Sequence, residues 1–213
     1  MKSSATLVMG KLCPRDSYRQ IKTINKPLIK KLLCLLGGVL LLSYLSAQKI
    51  KPLYIDDSLP DIPFGKVINY KDSSASLASF KGKLILFDFW FTHCSFCIEA
   101  MPKLDSLQKL YAKALQVIMV TQDPLEKVVP FIRKYEQQHH VKWTIPIVVG
   151  DTVLHQYFRH FSEPHYAWLA PENRLVAQSS FFFLNKEIME GYLKQLPEEL
   201  ARTGYRMDSL IKN

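Results

Sequence analysis

The chain of 213 residues lacks an excess of charge beyond its first 31 residues. The formal net charge is +9, but residues 1–31 hold eight Lys or Arg against one Asp, which leaves only +2 on the remainder. A nucleic-acid-binding domain needs a basic face on its folded surface. The sequence therefore argues against nucleic acid as a partner and assigns the basic character to an N-terminal segment.

The sequence also lacks, in its N-terminal part, an apolar run of the ~20 residues that a membrane-spanning helix needs. The apolar segment LLCLLGGVLLLSYL, residues 32–45, has fourteen residues, with lysines before it and Ser-Ala-Gln after it. This is the order of a secretory signal peptide: basic, then apolar, then small residues. We predict export with cleavage after Ala47; a retained membrane anchor and a translation start nearer Met9 are the alternatives.

Cysteine is scarce, since the chain has four, and Cys13 and Cys34 both lie in this leader. A mature chain from about residue 48 would keep only Cys94 and Cys97. In an oxidising compartment such a close pair forms a disulfide readily. Because a bridge that closes so short a loop constrains the unfolded chain little, a purely structural role is disfavoured.

Beyond the leader, the residue pattern predicts alternating strands and helices. Residues 48–75 mix Pro, Asp and Ser with short apolar runs and are expected to be extended, with one hairpin. The run LILFDFWF, residues 84–91, is apolar except for its Asp and is typical of a central strand buried on both faces. Apolar residues spaced by three from Cys97 onward predict an amphipathic helix, kinked at Pro102.

The second half of the chain predicts a strand, two helical segments and a closing hairpin with a last helix. We expect a mixed β-sheet flanked by helices, an α/β fold. The hairpin turn contains Asn173, which tolerates the left-handed conformation that such turns need. The predicted segments are a strand over 115–121, a helix over 125–138, an extended piece over 143–149, a helix over 152–161, a hairpin over 165–183 and a helix over 185–196.

Two cysteines separated by two residues follow the predicted central strand and open the next helix. A helix N-terminus offers free N–H groups and a partial positive charge, which stabilise a thiolate and lower the pKa of the first cysteine. We interpret Cys94 as the exposed nucleophile and Cys97, inside the first turn, as the resolving thiol. Cys94 would attack a disulfide of a partner, and Cys97 would then release the reduced partner.

Asp88 is the charged residue within the predicted central strand. Burial would raise its pKa and let it exchange protons near neutral pH, which predicts a role as proton acceptor and donor for Cys97. The alternative is a carboxylate that only reaches a donor at the strand edge or water.

The segment ILFDFWFTHCSFCIEAMP, residues 85–102, resembles the thioredoxin superfamily. The preceding SLASFKGK and the expected export are similar to the TlpA-type branch, which comprises extracytoplasmic thiol-disulfide oxidoreductases and cytochrome c maturation reductases. The resemblance runs from Leu59 to Leu196 and implies a thioredoxin-like fold. The matching positions are Asp88 for the buried acid, Trp90 for the tryptophan, Cys94 and Cys97 for the dithiol, and Pro102 for the proline of the helix.

The resemblance also implies a cis-proline that faces the dithiol at the start of the last hairpin. Pro164 fits this position, and Pro146 is the competing choice. The backbone of Glu163 would then pair with an extended substrate peptide. Trp90 and His93 are assigned to the same substrate-binding surface.

Three positions depart from the family pattern: His93 replaces a tryptophan, Ser95-Phe96 replaces a pair ending in proline, and Ala100 replaces a glutamate of the TlpA-type branch. Proton handling is therefore assigned to Asp88 alone. A protonated His93 would lower the pKa of Cys94, His165 would add to this effect, and Glu163 would oppose it. The alternative is that these three are solvated residues at the rim.

Two other classes of function stay open. A copper or zinc metallochaperone would use the thiols with His93, or with His155, His160 and His165. However, copper-delivering members of this fold have a CxxxC spacing, and histidines five residues apart do not share one helix face. The other class is a redox-inactive binding module on the same fold.

We predict a thiol-disulfide oxidoreductase of the periplasm or cell envelope that acts on protein thiols and disulfides, with reduction as the favoured direction. The Cys94–Cys97 disulfide carries the electrons, so no cofactor and no metal ligand is expected, and the implied partner is a membrane electron donor. The membrane itself is a partner only if the N-terminal segment is retained. The predicted organisation is a leader over 1–47, a linker over 48–58, a thioredoxin-like domain over 59–196 and a polar tail over 197–213.

Overall fold

The computed structural model describes residues 26–45, 49–188 and 190–194. The chain divides into two compact units, Met1–Lys49 and Ile50–Asn213. In the first unit, helix α1 spans Lys26–Leu45. Among the described residues, no helix has both the length and the apolar character required to cross a bilayer. The predicted cleavage point after Ala47 and the tail over 197–213 lie outside the described residues.

Among the described residues, the second unit has six strands and three helices, besides helical residues at 186–188 and 190–194. The strands are β1 Lys66–Ile68, β2 Leu84–Phe89, β3 Leu115–Val120, β4 Ile147–Val149, β5 His165–Leu169 and β6 Leu175–Ser180. The helices are α2 Ser95–Leu110, α3 Leu125–His139 and the four-residue α4 Leu154–Tyr157.

The strands form one mixed sheet in the order β1-β4-β3-β2-β5-β6. The pairs β2–β3 and β3–β4 are parallel, whereas β1–β4, β2–β5 and β5–β6 are antiparallel. The expected mixed sheet flanked by helices is thus confirmed.

Strand β2 lies inside the sheet, and all six of its residues are buried. Because successive side chains of a strand point to opposite faces, β2 contributes to two cores. Leu84 and Leu86 pack in a core that includes residues of α2 and α3. Phe87 and Phe89 pack in a second core, with residues of α4 and of a short 3-10 helix at Leu77–Phe80. Asp88 continues the row of Leu84 and Leu86 and therefore lies on the α2 face.

The closing hairpin is confirmed. Strands β5 and β6 pair antiparallel, and Asn173 in the turn has a left-handed backbone with φ of 67°. Of the predicted last helix, residues 186–188 and 190–194 are helical.

The helix predicted over 152–161 is wrong in its length, because only Leu154–Tyr157 is helical. The chain leaves the helix at Phe158, whose fully buried ring packs against Phe87 and Phe89 at centroid distances of 5.6 and 5.7 Å. Burial of this ring stabilises the fold more than further turns of helix would. The residues after it return toward Phe89 at the end of β2, which the rings of His160 and His165 contact.

Part of the segment predicted as a linker is attached to the domain. The Leu53 N–H donates to the Tyr157 carbonyl and the Asp56 N–H donates to the Leu175 carbonyl, both at 2.8 Å. Ser58 also pairs with Arg174 in an isolated β-bridge. These bonds satisfy backbone groups of a segment that the sequence pattern predicted as a linker.

Candidate active site

The two cysteines sit where β2 has ended and α2 begins. Cys94 is the N-cap of α2, and it forms a disulfide with Cys97. The Cys97 N–H donates to the Cys94 Sγ at 3.1 Å. The same N–H would stabilise a thiolate on Cys94 after reduction, because the first amides of a helix have no carbonyl partner within the helix.

Both cysteines are buried, although the sequence predicted an exposed Cys94. Cys94 is 6% exposed and Cys97 is 1% exposed. The expectation of an exposed first cysteine is therefore not met in the disulfide form, although the expected order of exposure holds. Phe96 between them is 59% exposed and packs against Phe181 at a centroid distance of 5.7 Å, so the surface beside the disulfide is apolar.

The loop that leads into the dithiol is held by Asp123. One carboxylate oxygen accepts hydrogen bonds from the Thr92 N–H and the Thr92 hydroxyl, each at 2.8 Å. Burial favours the neutral acid, but these two bonds and the charges of Lys127 and His93 outweigh it and hold the pKa of Asp123 below its usual value. The sequence reasoning missed this anchor, because nothing in the sequence indicates that Asp123 and Thr92 are in contact.

Asp88 is fully buried, and its two carboxylate oxygens make no hydrogen bond with any described residue. Burial raises its pKa to about 8, and the nearby charge of Glu163 adds to the effect. At neutral pH the folded protein therefore keeps Asp88 largely protonated. It lies on the face of β2 that packs with Cys94 and Cys97 in one core.

Pro164 immediately precedes β5, and the Glu163–Pro164 bond is the one cis peptide bond among the described residues. The first residue of β5, His165, pairs with Phe89, the last residue of β2. Pro164 is therefore at the end of the sheet from which the dithiol loop leaves. Pro146, the competing choice, precedes β4 and is not in a cis bond.

Glu163 is half-buried and faces two histidines. Its Oε1 lies 3.7 Å from the His155 Nε2 and 3.6 Å from the His160 Nε2. Burial favours the neutral acid, but the two histidines outweigh it and lower the pKa of Glu163 to about 2. Glu163 thus remains ionised in the range where Asp88 titrates.

The other residues assigned to the substrate surface differ in exposure. Trp90 is fully buried, with its ring 5.4 Å from that of Phe131, so its side chain offers no exposed surface to a substrate in this form. It supports the site from inside the core. His93 is exposed, and its ring lies 4.2 Å from that of Phe91. His165 is half-buried and bonded to Gln178, and burial lowers its pKa.

The sequence reasoning considered the three spaced histidines but did not connect them with Glu163. The structure brings His155, His160 and Glu163 together through the loop that follows α4. A ring stack of His160 on His165, with centroids 4.5 Å apart, extends this group. The argument from one helix face failed because only His155 lies in a helix.

Residues 55–188 match the model of the AhpC/TSA family. The chain belongs to the AhpC/TSA family. The match covers more than half of the sequence, and it includes Asp88, the dithiol and all six strands. The thioredoxin-superfamily resemblance of TlpA type, based on residues 85–102, is confirmed by this match and by the relatives below.

Among curated proteins, this family member is similar to two from Bacillus. It is 32% identical over 116 residues to the thioredoxin-like protein YneN of Bacillus subtilis, which covers 54% of this chain and 66% of YneN. It is 26% identical over 133 residues to the thiol-disulfide oxidoreductase ResA of Bacillus cereus, which covers 62% of this chain and 70% of ResA. The match thus spans just under two thirds of YneN.

Among solved structures, the thioredoxin domain of a thiol-disulfide oxidoreductase from Bacteroides vulgatus superposes with a TM-score of 0.51 at 26% identity. It covers 67% of this chain and 97% of that domain. A thiol-disulfide oxidoreductase from Bacteroides fragilis gives a TM-score of 0.51 at 20% identity, covering 66% of this chain and 99% of that one, and shows the fold alone. The thioredoxin-like fold is thereby confirmed.

Proposed function

We propose that this protein is a thiol-disulfide oxidoreductase whose Cys94–Cys97 dithiol exchanges with disulfides of protein substrates. One observation carries the proposal: the two cysteines are bonded to each other at the N-terminus of α2, and the Cys97 N–H donates to the Cys94 Sγ. That arrangement stabilises a thiolate on Cys94 once the disulfide is reduced. The names of the relatives, among them ResA, support the same activity.

The reaction proceeds in two exchange steps. The Cys94 thiolate attacks one sulfur of the substrate disulfide, an S–S bond forms between them, and the substrate's other sulfur leaves as a thiolate that takes up a proton. The Cys97 thiolate then attacks the Cys94 Sγ, and the second substrate sulfur leaves. The substrate disulfide gains two electrons, and the dithiol becomes the Cys94–Cys97 disulfide. No further cofactor is needed, because the cysteines carry both electrons.

In this proposal the ionised form of Asp88, the minor form at neutral pH, accepts the proton of Cys97 when Cys97 becomes the attacking thiolate, and returns it in the reverse direction. A pKa of about 8 for this carboxyl is close to that of an ordinary thiol, about 8.5, so a proton can pass between them with little free-energy change. Its location on the α2 face, in line with Leu84 and Leu86, supports the assignment.

Substrate would bind along the surface that joins the dithiol to the segment before β5. Backbone groups at Glu163 and Pro164 would pair with an extended peptide, and His93 would lie at the rim. The exposed ring of Phe96 offers an apolar contact beside the disulfide. These features favour an unfolded or extended protein segment as substrate over a small thiol.

We further propose that the protein works outside the cytoplasm as a reductase that receives its electrons from a membrane protein. The basic residues before position 31 and the apolar segment over 32–45 support export. N-terminal sequencing of the protein recovered from the cell envelope tests this part. A first residue at about position 48 supports cleavage, whereas an intact leader in the membrane fraction supports an anchor.

Trapping of the mixed disulfide tests the exchange reaction. In the reduced Cys97→Ser variant, Cys94 can attack a substrate disulfide but nothing resolves the adduct, so a covalent complex with a disulfide-containing protein should accumulate. With Cys13 and Cys34 replaced by serine in every variant, so that no other thiol reacts, the Cys94→Ser variant should form none. Equal adduct from both active-site variants would contradict the assigned roles.

The direction of the reaction is tested by the midpoint potential of the pair in a dithiothreitol redox buffer. A value near the thioredoxin potential, about −270 mV, supports a reductase, and a value nearer about −120 mV indicates an oxidant. The lack of a reversible two-electron couple would overturn the redox function and favour a binding module.

A further inference from the structure

Three side chains with metal-binding atoms converge on the face of β2 that carries Phe89. The candidate ligand atoms of His155, His160 and Glu163 all lie within 4.8 Å of one another. The Glu163 Oε1 is 3.7 Å from the His155 Nε2 and 3.6 Å from the His160 Nε2. Two ligands placed tetrahedrally around zinc at about 2.1 Å are separated by about 3.4 Å. The two separations from Glu163 therefore differ from those of a zinc site by only a few tenths of an ångström, and the two histidine nitrogens lie within 4.8 Å of each other.

The second nitrogen of each histidine is already held. The Nδ1 of His155 lies 2.7 Å from the Asp151 carboxylate, and the Nδ1 of His160 lies 2.7 Å from the Phe158 carbonyl. Histidines that bind metals have this arrangement, because a carboxylate or carbonyl that accepts from one ring nitrogen leaves the other nitrogen as the ligand. With both Nδ1 atoms held, the two Nε2 atoms face the Glu163 carboxylate at 3.7 and 3.6 Å.

Asp151 is itself fixed, so it can position His155. Its carboxylate accepts hydrogen bonds from the N–H groups of Val153, Leu154 and His155 at 3.2, 3.0 and 2.9 Å. The Nε2 of His155 is buried and makes no hydrogen bond with any residue that the structure describes. A buried nitrogen without such a bond is costly to desolvate, and a metal ion would satisfy it.

The group is also accessible. A cleft of about 520 Å³ is lined by all three residues, together with Gln122 and Arg159. Three protein ligands leave a fourth tetrahedral position open to this cleft, for water or for a donor atom of a bound molecule. The competing explanation is an ion pair in which the histidines are protonated and Glu163 is their counter-ion.

We propose that His155 Nε2, His160 Nε2 and the Glu163 carboxylate bind one divalent transition-metal ion, with Zn²⁺ as the best match to two imidazoles and a carboxylate. No cysteine takes part, so the site differs from a thiolate metallochaperone site and does not depend on the dithiol reaction. The bound ion would join His155 of α4 to two residues of the loop that follows it, His160 and Glu163.

The test uses the full chain with Cys13 and Cys34 replaced by serine and with the Cys94–Cys97 disulfide closed, so that no thiol can bind metal. Titration with Zn²⁺ should show one ion per chain. Glu163→Gln and His160→Ala should each weaken the affinity at least tenfold, and Asp151→Asn should weaken it on the order of 10- to 100-fold, as expected for a residue that orients a ligand. Co²⁺ should give the absorption of a tetrahedral nitrogen and oxygen site.

The matched control is the double variant His139→Ala/His140→Ala, which removes two histidines at the end of α3. Its affinity for Zn²⁺ should equal that of the parent. The proposal is overturned if no stoichiometric binding occurs, if Glu163→Gln binds as tightly as the parent, or if the control loses as much affinity as His160→Ala. Should His160→Ala fail to fold by circular dichroism, the Co²⁺ spectrum of the nearly isosteric Glu163→Gln decides the question alone.

Discussion

Asp88 lies directly opposite Tyr166 where β2 pairs with β5, and both side chains are fully buried. Neither the Asp88 carboxylate nor the Tyr166 hydroxyl makes a hydrogen bond with a described residue. Burial raises the pKa of both groups, and the charge of Asp88 adds to the effect on Tyr166. The Asp88 carboxyl and the Tyr166 hydroxyl are therefore both neutral groups on the side of the sheet that packs with the dithiol. Ionisation of Asp88 in this buried position would lower the free energy of unfolding.

The first prediction concerns the pH dependence of the free energy of unfolding that Asp88 causes. The pKa of Asp88 is 3.8 when exposed and about 8 in the folded protein, so between these values the folded state holds a proton that the unfolded state has released. The stability contributed by the neutral carboxyl is complete below pH 3.8 and is lost as the pH rises toward 8. The free energy of unfolding of the oxidised parent should fall relative to Asp88→Asn by about 1.4 kcal/mol per pH unit.

Urea denaturation of both proteins at several pH values between 4 and 8 measures the difference. Asp72→Asn, a change at an exposed carboxylate, is the control and should leave the pH dependence of the parent intact. A constant difference between the parent and Asp88→Asn would show that the pKa of Asp88 is not raised.

The second prediction concerns the influence of Glu163. Its negative charge is one cause of the raised pKa of Asp88, and its own low pKa keeps it charged. Glu163→Gln should therefore lower the pKa of Asp88, though only in part, since burial is the larger cause. The carboxyl carbon resonance of Asp88 followed against pH by NMR measures this. Glu172→Gln, at another partly buried glutamate, should produce no shift.

The third prediction concerns the loop before Cys94. Thr92→Val keeps the shape of the side chain but removes the hydroxyl that donates to Asp123. The depressed pKa of Asp123 contributes stability that is present above the unfolded value of 3.8 and is lost as the pH falls through the folded pKa. The variant should lose about 1 kcal/mol of stability at neutral pH, the size of one net hydrogen bond.

Thermal or urea unfolding at neutral and acidic pH tests this, and the loss should shrink in acid. Thr144→Val, at an exposed threonine, is the matched substitution and should show no such pH dependence. A loss that is the same at both pH values would mean that the hydroxyl acts without Asp123.

The fourth prediction concerns the thiol. If His93 favours the Cys94 thiolate, His93→Ala should raise the pKa of Cys94. The rate of alkylation by iodoacetamide against pH reports the pKa of Cys94 in reduced chains in which Cys13, Cys34 and Cys97 are replaced by serine. His140→Ala, at the end of α3, is the control and should leave the pKa of Cys94 unchanged. An unchanged pKa of Cys94 in His93→Ala would show that His93 is only a solvated residue at the rim.

The sequence by itself was enough for the central strand, the dithiol helix and the closing hairpin, because these depend on local patterns. The apolar run at 84–91, interrupted only by Asp88, is typical of a strand buried on both faces, and Asn173 suits the turn of the hairpin by its own conformational preference. The helix over 152–161 failed for the opposite reason. The helix ends early because the ring of Phe158 is buried against Phe87 and Phe89. These residues are about 70 positions away in the sequence, so a local pattern carries no information about the contact.

The tertiary structure alone decided which side chains meet at the site. The apolar strand before Cys94 and the helical spacing from Cys97 onward predict that the two thiols lie at the start of a helix, so the sequence indicated the dithiol chemistry. The contact of Thr92 with Asp123 joins distant segments, whereas Glu163 meets His155 and His160 within residues 155–163, from α4 to the loop before β5. The first contact depends on the order of the strands in the sheet, which follows from burial of the two cores rather than from any short stretch of sequence. The second depends on the path that the chain takes after the ring of Phe158 is buried against Phe87 and Phe89.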